Sequence, residues 1–544
     1  MNAPAFTPAY LPRLATRYDL PDDELSDQAQ KASNAVRRLA DLWERNGTAD
    51  AAVLRTLRSI AKRHAIRLPN KAGLPEQINR MCDASWWRRA LRYRFKAVEL
   101  HAIQSGAVHL YASPYISPKG LRRHERQAAR LEGQMANLEA VNQSTGEMVP
   151  MPELIEASLA NPVNRRNALM ARIKGIEVHA LSKSHLGLFL TITCPSRMHP
   201  RSSVNGAAND RYDGTFPTKA HRYLCRVWAN ALRAAAHQGI VPYGLRVVEP
   251  HHDACPHWHV LAFLPADQAE AFTSQVRRYA LLDSPDEPGA QERRFTVERI
   301  DPAKGSAVGY VAKYVSKSID GEGVDRDTES KADGASAARR QIAWARTWGI
   351  RQFQFFGVPP ITPTRELYRV AAATLPGQAL PELHQACKAN DYGAWLATVE
   401  AHGLRLGVEY CERPSTRYRG ESTQAIKGLC ITGGDLGGVL QLTTRCDSWL
   451  IQPRSKAAPL NAEAAGDSPA FGAPWTRFNN SAPLDFKELF PGALPEGLEV
   501  WGEAGMPKEA SRTGHRYPVQ DMAIGDQPAP SLAPAATHAR TANP

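Results

Sequence analysis

Two histidines separated by a single residue open an apolar run near the middle of the chain. His257 and His259 precede the sequence Val-Leu-Ala-Phe-Leu at positions 260–264, which is typical of a β-strand. Alternate side chains of a strand point to the same face of a sheet, so both imidazoles would lie together and could bind one divalent metal ion. A histidine pair of this kind also occurs by chance, and the alternative is two structural histidines.

A carboxylate close to this pair could supply a third ligand. Glu249 ends the preceding predicted strand, and the proline-bounded loop that follows could fold the chain back as a hairpin. Glu249 would then lie across from His257 and complete a three-ligand site with open positions for a substrate. The sequence leaves His251, His252 and Asp253 as competing third ligands.

A second group of candidate residues lies in a segment with helical periodicity. At about 100° per residue, Tyr310, Lys313, Tyr314 and Lys317 fall within one stripe of a helix, for which Ser306 is a suitable N-cap. The other side of this helix is apolar and could pack on a sheet, because it carries Val308, Val311, Ala312, Val315 and Ile319. The alternative is a surface helix whose tyrosines and lysines are merely solvated.

Taken together, the two groups favour tyrosine attack on a phosphodiester. A tyrosine hydroxyl has a pKa of about 10 and becomes a good nucleophile only when cations stabilise its phenolate. A divalent ion and the neighbouring Lys313 and Lys317 would supply those cations, and the ion would also polarise a non-bridging phosphate oxygen. The products would be a phosphotyrosine and a free 3′ hydroxyl, and a second tyrosine one turn away would allow a second attack.

Strands and helices are mixed around both groups of residues. β-Branched and aromatic residues predict strands at 188–193, 245–249, 257–264 and 294–300. Helical periodicity predicts helices at 218–237 and 307–318. Strands mixed with helices in one continuous stretch predict an α+β domain.

Composition divides the chain into four regions. Residues 1–179 are predicted to be mainly helical and basic, with a possible role in DNA binding. Residues 180–360 form the predicted α+β domain, which is interrupted at about 320–338 by a polar, Gly-containing insert that is predicted to be flexible. A small C-terminal region of unassigned role follows at 361–452, and the Pro-, Ala- and Gly-rich residues 453–544 are predicted to be a largely disordered tail.

One basic stretch of the N-terminal region could bind nucleic acid. Arg88, Arg89, Arg92 and Arg94 are interleaved with aromatic residues in the sequence WWRRALRYRF at positions 86–95. Guanidinium groups can hold phosphates while aromatic rings stack on bases. The alternative is an amphipathic helix whose aromatic residues enter the core while its arginines are solvated.

Bulk composition agrees with a nucleic-acid partner. The net charge is +12 and the isoelectric point about 9.3, which suits a polyanion. Eight scattered cysteines without a C-x-x-C pair argue against a disulfide scaffold or a multi-cysteine zinc module, and favour a reducing compartment. The N-terminus does not resemble a signal peptide and no stretch is apolar enough to span a bilayer, so the sequence predicts a cytoplasmic protein without a membrane partner.

At these motifs the sequence resembles the HUH endonuclease superfamily, and within it the phage replication gene A protein family. Residues 189–195 (FLTITCP) are similar to its first motif, 256–259 (PHWH) to its metal motif and 310–314 (YVAKY) to its two-tyrosine catalytic motif. The resemblance covers residues 180–360. It implies a central antiparallel sheet flanked by helices, with the histidines on one strand and the tyrosine helix beside it.

The resemblance also implies an activity and its requirements. A Mg²⁺- or Mn²⁺-dependent endonuclease would nick a replication origin at a specific site, through a 5′-phosphotyrosine intermediate, and so start rolling-circle replication of a phage. The DNA partner would be single-stranded or supercoiled origin DNA. Because the sequence contains no G-x-x-x-x-G-K-[ST] motif, we expect a host replicative helicase to unwind the DNA in the bacterial cytoplasm.

Two alternatives stay open on the sequence alone. A two-tyrosine transposase or conjugative relaxase would use the same chemistry for another purpose. A basic DNA-binding protein without enzymatic activity would carry structural histidines, and losing a metal would then cost folding stability only.

Overall fold

Helices dominate the N-terminal part of the structure, which is a computed structural model describing residues 22–454 apart from positions 70, 72, 203–204, 304, 328, 416–417, 419 and 435. The first helices are α1 (Asp22–Asn46), α2 (Asp50–Arg63), α3 (Leu74–Met81), α4 (Ala84–Arg92), α5 (Phe95–Gln104) and α6 (Pro118–Met135). Apolar residues at helical spacing, such as Trp87 and Leu91 of α4, pack into one cluster shared by the first five helices. The predicted helical N-terminal region is confirmed. All but the first two residues of the predicted tail lie outside the described residues.

Two short strands and two further helices lead into the central sheet. They are β1 (Leu138–Asn142), β2 (Met148–Pro150), α7 (Met151–Ala157) and α8 (Pro162–Ser182). The start of α8 is well defined, because the Asn161 side chain accepts a hydrogen bond from the Val163 N–H at 2.9 Å and proline occupies the first helical position. α8 packs against the central sheet.

The central sheet has five strands, and all of its pairings are antiparallel. Residues 185–356 supply its strands and the helices between them. In chain order these elements are β3 (His185–Ile192), α9 (Pro217–Ala236), β4 (Tyr243–Pro250), β5 (Pro256–Pro265), α10 (Ala269–Ala280), α11 (Ala290–Arg293), β6 (Phe295–Arg299), α12 (Ala307–Lys317), α13 (Gly334–Trp348) and β7 (Phe353–Phe356). The strand order is β6-β3-β5-β4-β7, so β5 lies in the middle. Strands mixed with helices in this way confirm the predicted α+β class.

The two faces of β5 have different roles. Trp258, Val260, Ala262 and Leu264 point to one face and form the main core with apolar residues of α9 and α10. Because side chains alternate along a strand, His257 and His259 point to the opposite face. β5 is buried along nearly its whole length. Both faces of the strand are therefore covered, the face that carries the histidines as well as the face that carries the core residues.

The C-terminal region is not separate from the N-terminal one. It contains α14 (Ile361–Tyr368), α15 (Ala379–Lys388), α16 (Tyr392–Ala401), β8 (Arg405–Pro414), β9 (Ser422–Thr432), β10 (Leu440–Thr443) and β11 (Trp449–Pro453). β8, β9 and β10 form one antiparallel sheet, while β11 pairs with β1 to give the order β11-β1-β2. This pairing crosses the predicted boundaries at 179 and 360.

The segment at about 320–338, which is predicted to be a flexible insert, contacts the sheet domain through several buried residues. The side chain of Asp327 is fully buried. Gly321 has φ +79° and lies so close to the backbone of Gly334 that an added Cβ would fall 2.2 Å from its carbonyl. The last part of the segment already belongs to α13, which Asp333 caps by accepting a hydrogen bond from the Ser336 N–H. Polar composition is typical of loops, but here the polar groups bond to one another and to the domain.

No helix in the described part of the chain is long and apolar enough to cross a membrane.

Candidate active site

The hairpin of β4 and β5 places a carboxylate opposite a histidine. Glu249 pairs directly with His257, and His259 lies between Val247 of β4 and Thr191 of β3. One ligand atom each from Glu249, His257 and His259 lies within 4.8 Å of the others, and all three residues are buried. The predicted hairpin geometry therefore brings the three predicted metal ligands together.

Two of the three competing ligands, Asp253 and His251, contact other side chains. Asp253 accepts a hydrogen bond from the Cys255 N–H at 3.0 Å and lies 3.1 Å from the Nδ1 atom of His199. The Nδ1 atom of His251 lies 3.5 Å from Glu329 Oε1, and its ring stacks on that of His257 with centroids 4.0 Å apart. Among the described residues, the only His, Cys, Asp and Glu side chains grouped tightly enough for a metal are the three on β4 and β5.

The cluster has acceptor atoms to offer a cation. The Nε2 atoms of His257 and His259 are 3.0 Å apart, and His259 Nε2 is 3.7 Å from Glu249 Oε2. Neither Glu249 Oε1 nor His257 Nδ1 has a hydrogen-bond partner among the described residues. Thr191 Oγ1 lies 3.1 Å from His259 Nδ1 and can fix the orientation of that ring. Buried nitrogen and carboxylate acceptors that converge in this way fit a divalent ion.

Electrostatics at the cluster also suit a metal. Burial lowers the pKa of His257, and the neighbouring His251 lowers it further. Burial, followed by the charge of Lys317, lowers the pKa of His259 to about 3. Both imidazoles are therefore neutral, which is the form that binds metals. Burial raises the pKa of Glu249 to about 7 against the opposing effect of Lys317, so this carboxylate needs a cation to stay ionised.

The tyrosine helix α12 runs beside the histidines. It starts at its predicted cap, where Ser306 Oγ accepts a hydrogen bond from the Gly309 N–H at 3.2 Å. The Tyr314 ring lies 3.9 Å from the His259 ring, centroid to centroid. Phe189 of β3 contacts both tyrosines, with centroid distances of 5.4 Å to Tyr314 and 6.1 Å to Tyr310. The site thus places both candidate nucleophiles next to the candidate metal ligands.

The two lysines of α12 lie in different environments. Lys313 is exposed, as the predicted stripe of tyrosines and lysines requires. Lys317 is instead buried, with its Nζ atom 3.4 Å from Glu249 Oε2 and 2.8 Å from Asp327 Oδ1. Lys317 therefore lies on the predicted stripe with the tyrosines but is enclosed by carboxylates, whereas Lys313 is open to solvent.

The two tyrosine hydroxyls also differ. Tyr310 is half-buried, and its hydroxyl donates a hydrogen bond to Glu298 Oε1 at 3.2 Å. Burial raises the pKa of Tyr314 and the charge of Glu249 raises it further, while Lys317 works in the opposite direction. A cation that neutralises Glu249 would remove one of the three causes that raise the pKa of Tyr314, the others being burial and the charge of Glu298.

The arginines proposed to bind DNA lie far from this cluster in the sequence and belong to the N-terminal helices. Arg94 is buried, Arg88 donates to Ser85 Oγ at 3.3 Å, and an amino group of Arg89 lies 3.5 Å from the Tyr418 hydroxyl. Trp87 is in the core of these helices, as the amphipathic alternative predicts, and Arg92 at the end of α4 is half-buried. DNA binding by these arginines stays a prediction.

Several residues of the site were not singled out as site residues by the sequence. Phe189 and Thr191 lie in a strand that was predicted, so pairing that strand with β5 would have placed Thr191 beside His259. Glu298 lies in another predicted strand, at the edge of the sheet. Asp327 carries no local signal, because its role depends on the distant partners that it contacts.

Comparison with known proteins places the chain in a family. The family model described as "Bacteriophage replication gene A protein (GPA)" matches residues 13–322. The chain is 34% identical over 406 residues to the replication gene A protein of Escherichia phage 186, covering 72% of this chain and 58% of that protein. It is 32% identical to the replication gene A protein of Escherichia phage P2, covering 75% and 55%.

Another relative is described as an endonuclease. The "probable replication endonuclease from prophage-like region" of Salmonella paratyphi A is 33% identical over 453 residues, covering 78% of this chain and 54% of that protein. The chain spans little more than half the length of these curated relatives. No solved structure matches it significantly. Since the family model covers more than half of the chain, including the cluster of Glu249, His257 and His259 and both tyrosines, the chain belongs to the bacteriophage replication gene A protein family.

Proposed function

We propose that this chain is a metal-dependent endonuclease that nicks one strand of a phage replication origin and so starts rolling-circle replication. The observation that carries the proposal is the position of Tyr314, whose ring lies 3.9 Å from that of His259 beside the buried Glu-His-His cluster. Membership in a replication family and a relative described as a probable replication endonuclease support it. An HUH-type nuclease is the class to which this arrangement corresponds.

Tyr314 is the proposed nucleophile of the first cleavage. Its oxygen would bond to the scissile phosphorus while the bond from phosphorus to the 3′ oxygen breaks. The proton of the tyrosine hydroxyl would pass to solvent, the 3′ oxygen would take up a proton from solvent, and the 5′ phosphate would stay on the tyrosine. Mg²⁺ or Mn²⁺ held by Glu249, His257 and His259 would polarise a non-bridging phosphate oxygen. Lys313, exposed on the same helix, would attract the DNA phosphate.

Tyr310 is the proposed nucleophile of a second attack. It lies one helical turn before Tyr314 and contacts the same Phe189 ring. Its hydroxyl is held by Glu298, further from the histidines. A tyrosine in this position could receive the strand after the first cleavage without release of the DNA.

Different observations argue against the two alternative functions, a transposase or relaxase and a DNA-binding protein without enzymatic activity. A transposase or relaxase would use the same residues, but the relatives are described as replication proteins. A non-enzymatic DNA-binding protein offers no reason for two aligned tyrosines beside three converging acceptor side chains. Replication initiation is therefore the function that these observations favour.

The test is a nicking assay on supercoiled DNA that carries the protein's own gene, with Mn²⁺ or with EDTA. Wild type should leave a covalent protein–DNA adduct only with the metal, and Tyr314→Phe should lose the first cleavage. The Tyr310→Phe/Tyr314→Phe double variant should form no adduct, while Tyr111→Phe, which changes an exposed tyrosine, should behave as wild type. An adduct in the double variant, or none in wild type under any metal, refutes the tyrosine mechanism.

The partners and the compartment stay predictions. Origin DNA, either single-stranded or supercoiled, is the expected substrate of the proposed reaction. Unwinding by a host replicative helicase and action in the bacterial cytoplasm follow from the sequence resemblance. A pull-down of the full chain from infected host cells would test the helicase.

A further inference from the structure

Lys317 links the candidate metal cluster to two residues that the proposed chemistry does not use. Its Nζ atom contacts Glu249 on one side and Asp327 on the other, at 3.4 and 2.8 Å. The other carboxylate oxygen of Asp327 accepts hydrogen bonds from the hydroxyls of Tyr115 and Ser330. Glu249, Lys317, Asp327 and Tyr115 are all buried, so these four side chains form a continuous buried chain of contacts.

We propose that Asp327 and Tyr115 are positioning residues that hold Lys317 against one carboxylate oxygen of Glu249, and thereby orient this carboxylate toward a divalent ion. The inference rests on the proposed metal-dependent function. It adds two residues to the site, one from the segment 320–338 and one from the N-terminal region, neither of which touches the metal cluster itself.

The first support is the contact between Lys317 and the side of Glu249 that faces the histidines. Oε2 lies 3.4 Å from Lys317 Nζ and 3.7 Å from His259 Nε2, whereas Oε1 is buried without a hydrogen-bond partner in the described part of the chain. Carboxylates that bind metals are commonly held by a hydrogen bond from a neighbouring side chain, and removing such a bond typically weakens metal affinity by about 10–100-fold. Lys317 is in the position to make this hydrogen bond.

The second support is the charge balance. A buried ammonium group is tolerated only when it is paired, and Lys317 is paired with two carboxylates. When both carboxylates are ionised, the three side chains leave one negative charge uncompensated, which favours binding of a cation. Asp327 is the nearer of the two carboxylates, so it can fix the position of the Lys317 ammonium group beside Glu249.

The third support is the backbone at Tyr115. This residue has φ +73°, which is unfavourable for a side chain larger than glycine, and its N–H donates to the carbonyl of His252 at 3.1 Å. The segment around it is fixed, since Ser113 Oγ accepts from Arg340 and the Ser117 N–H donates to Glu99. Strained residues of this kind persist where the surrounding structure holds them, often at functional sites.

The test measures Mn²⁺ binding to the full chain by isothermal titration calorimetry, with thermal unfolding in EDTA as the folding control. We expect Lys317→Met to weaken Mn²⁺ binding by about 10–100-fold. Asp327→Asn should weaken it too, and Tyr115→Phe should give a smaller loss in the same direction. The controls are Asp325→Asn and Tyr111→Phe, which make the same chemical changes at exposed positions nearby in the sequence and should leave the affinity unchanged.

A double variant shows whether Asp327 acts through Lys317. In the Lys317→Met background, Asp327→Asn should change the Mn²⁺ affinity by less than about twofold, the usual error of additivity. Full additivity would mean that Asp327 acts independently of Lys317, and it would overturn the proposed chain of contacts.

Two other roles predict different results. If only charge mattered, Lys317→Met would remove a repelling cation and tighten Mn²⁺ binding, and Tyr115→Phe would have no effect. If the contacts only supported the fold, the variants would unfold at lower temperature in EDTA but bind Mn²⁺ as wild type does. Either result overturns the inference while leaving the proposed function intact. Failure of wild type to bind Mn²⁺ would overturn both.

Discussion

Glu249→Gln is expected to change how the stability of the metal-free protein depends on pH. Burial raises the pKa of Glu249 from its ordinary value of 4.5 to about 7, although Lys317 opposes the shift. An acid whose pKa is raised by folding binds its proton more tightly in the folded state. Its contribution to stability is therefore full below pH 4.5 and is lost as the pH rises through 7. Glutamine has no proton to lose and should abolish this contribution.

The magnitude follows from the size of the shift. One pKa unit corresponds to about 1.4 kcal/mol, so between pH 5 and pH 8 the wild-type protein should lose about 2–3 kcal/mol relative to Glu249→Gln. For a cooperative unit that spans residues 22–454, an unfolding entropy of about 2.1 cal/mol/K per residue makes 1 kcal/mol worth about 1 °C in the unfolding midpoint. The difference in Tm between wild type and variant should therefore change by about 2–3 °C across this pH range.

The assay is differential scanning calorimetry in EDTA at pH 5 and pH 8. Glu322→Gln is the matched control, because it makes the same chemical change at an exposed position a few residues after α12. Saturating Mn²⁺ at pH 8 should restore the stability of wild type, by about 2.7 kcal/mol at a hundredfold excess over Kd, but not that of Glu249→Gln. An equal Tm difference at both pH values would refute the reasoning, since Glu249 would then titrate in the folded protein as it does in the unfolded chain.

Two further predictions concern the metal and the DNA. His259→Ala should fold in EDTA. It should lose most of the rise in Tm that Mn²⁺ gives wild type, because one of the three candidate ligands is missing. A full rise in Tm would mean that Mn²⁺ binds elsewhere. Replacing Arg88, Arg89 and Arg92 by glutamine should reduce the slope of log Kd against log salt concentration for duplex DNA by about 0.9 for each phosphate that the variant no longer neutralises. An unchanged slope would assign these arginines to interactions within the protein, of which the one with Tyr418 is an example.

The parts of the site that depend on local periodicity could be predicted from the sequence. Alternation along one strand places His257 and His259 on the same face, and the short loop before them folds Glu249 back against His257. Helical periodicity places Tyr310 and Tyr314 on one side of α12. Each of these relations holds within one element or between two neighbouring strands, so no distant partner is needed to derive it.

The environment of Lys317 could not be predicted in the same way. A helical wheel puts it within about 20° of Tyr310, inside the stripe that carries the tyrosines, and whether a lysine there is exposed or buried depends on what packs beside the helix. Its partner Asp327 belongs to a polar, Gly-containing segment whose composition is typical of a flexible loop, and Tyr115 lies 212 residues before Asp327. Interactions of this range leave no periodic signal in the sequence.

The same long-range packing means that residues 180–360 do not form a self-contained unit. Leu100, Ile103, Val108 and Ile116 of the N-terminal region are buried in the same core cluster as Trp258 on β5. Removing residues 1–179 would expose the apolar face of the sheet that these side chains cover, and each such side chain is worth about 1.5–3 kcal/mol when buried. Tyr115, which contacts Asp327, lies in that same stretch. The N-terminal region therefore contacts the surroundings of the Glu249, His257 and His259 cluster in two ways, by contributing to the core behind β5 and by reaching the ion pairs beside Glu249.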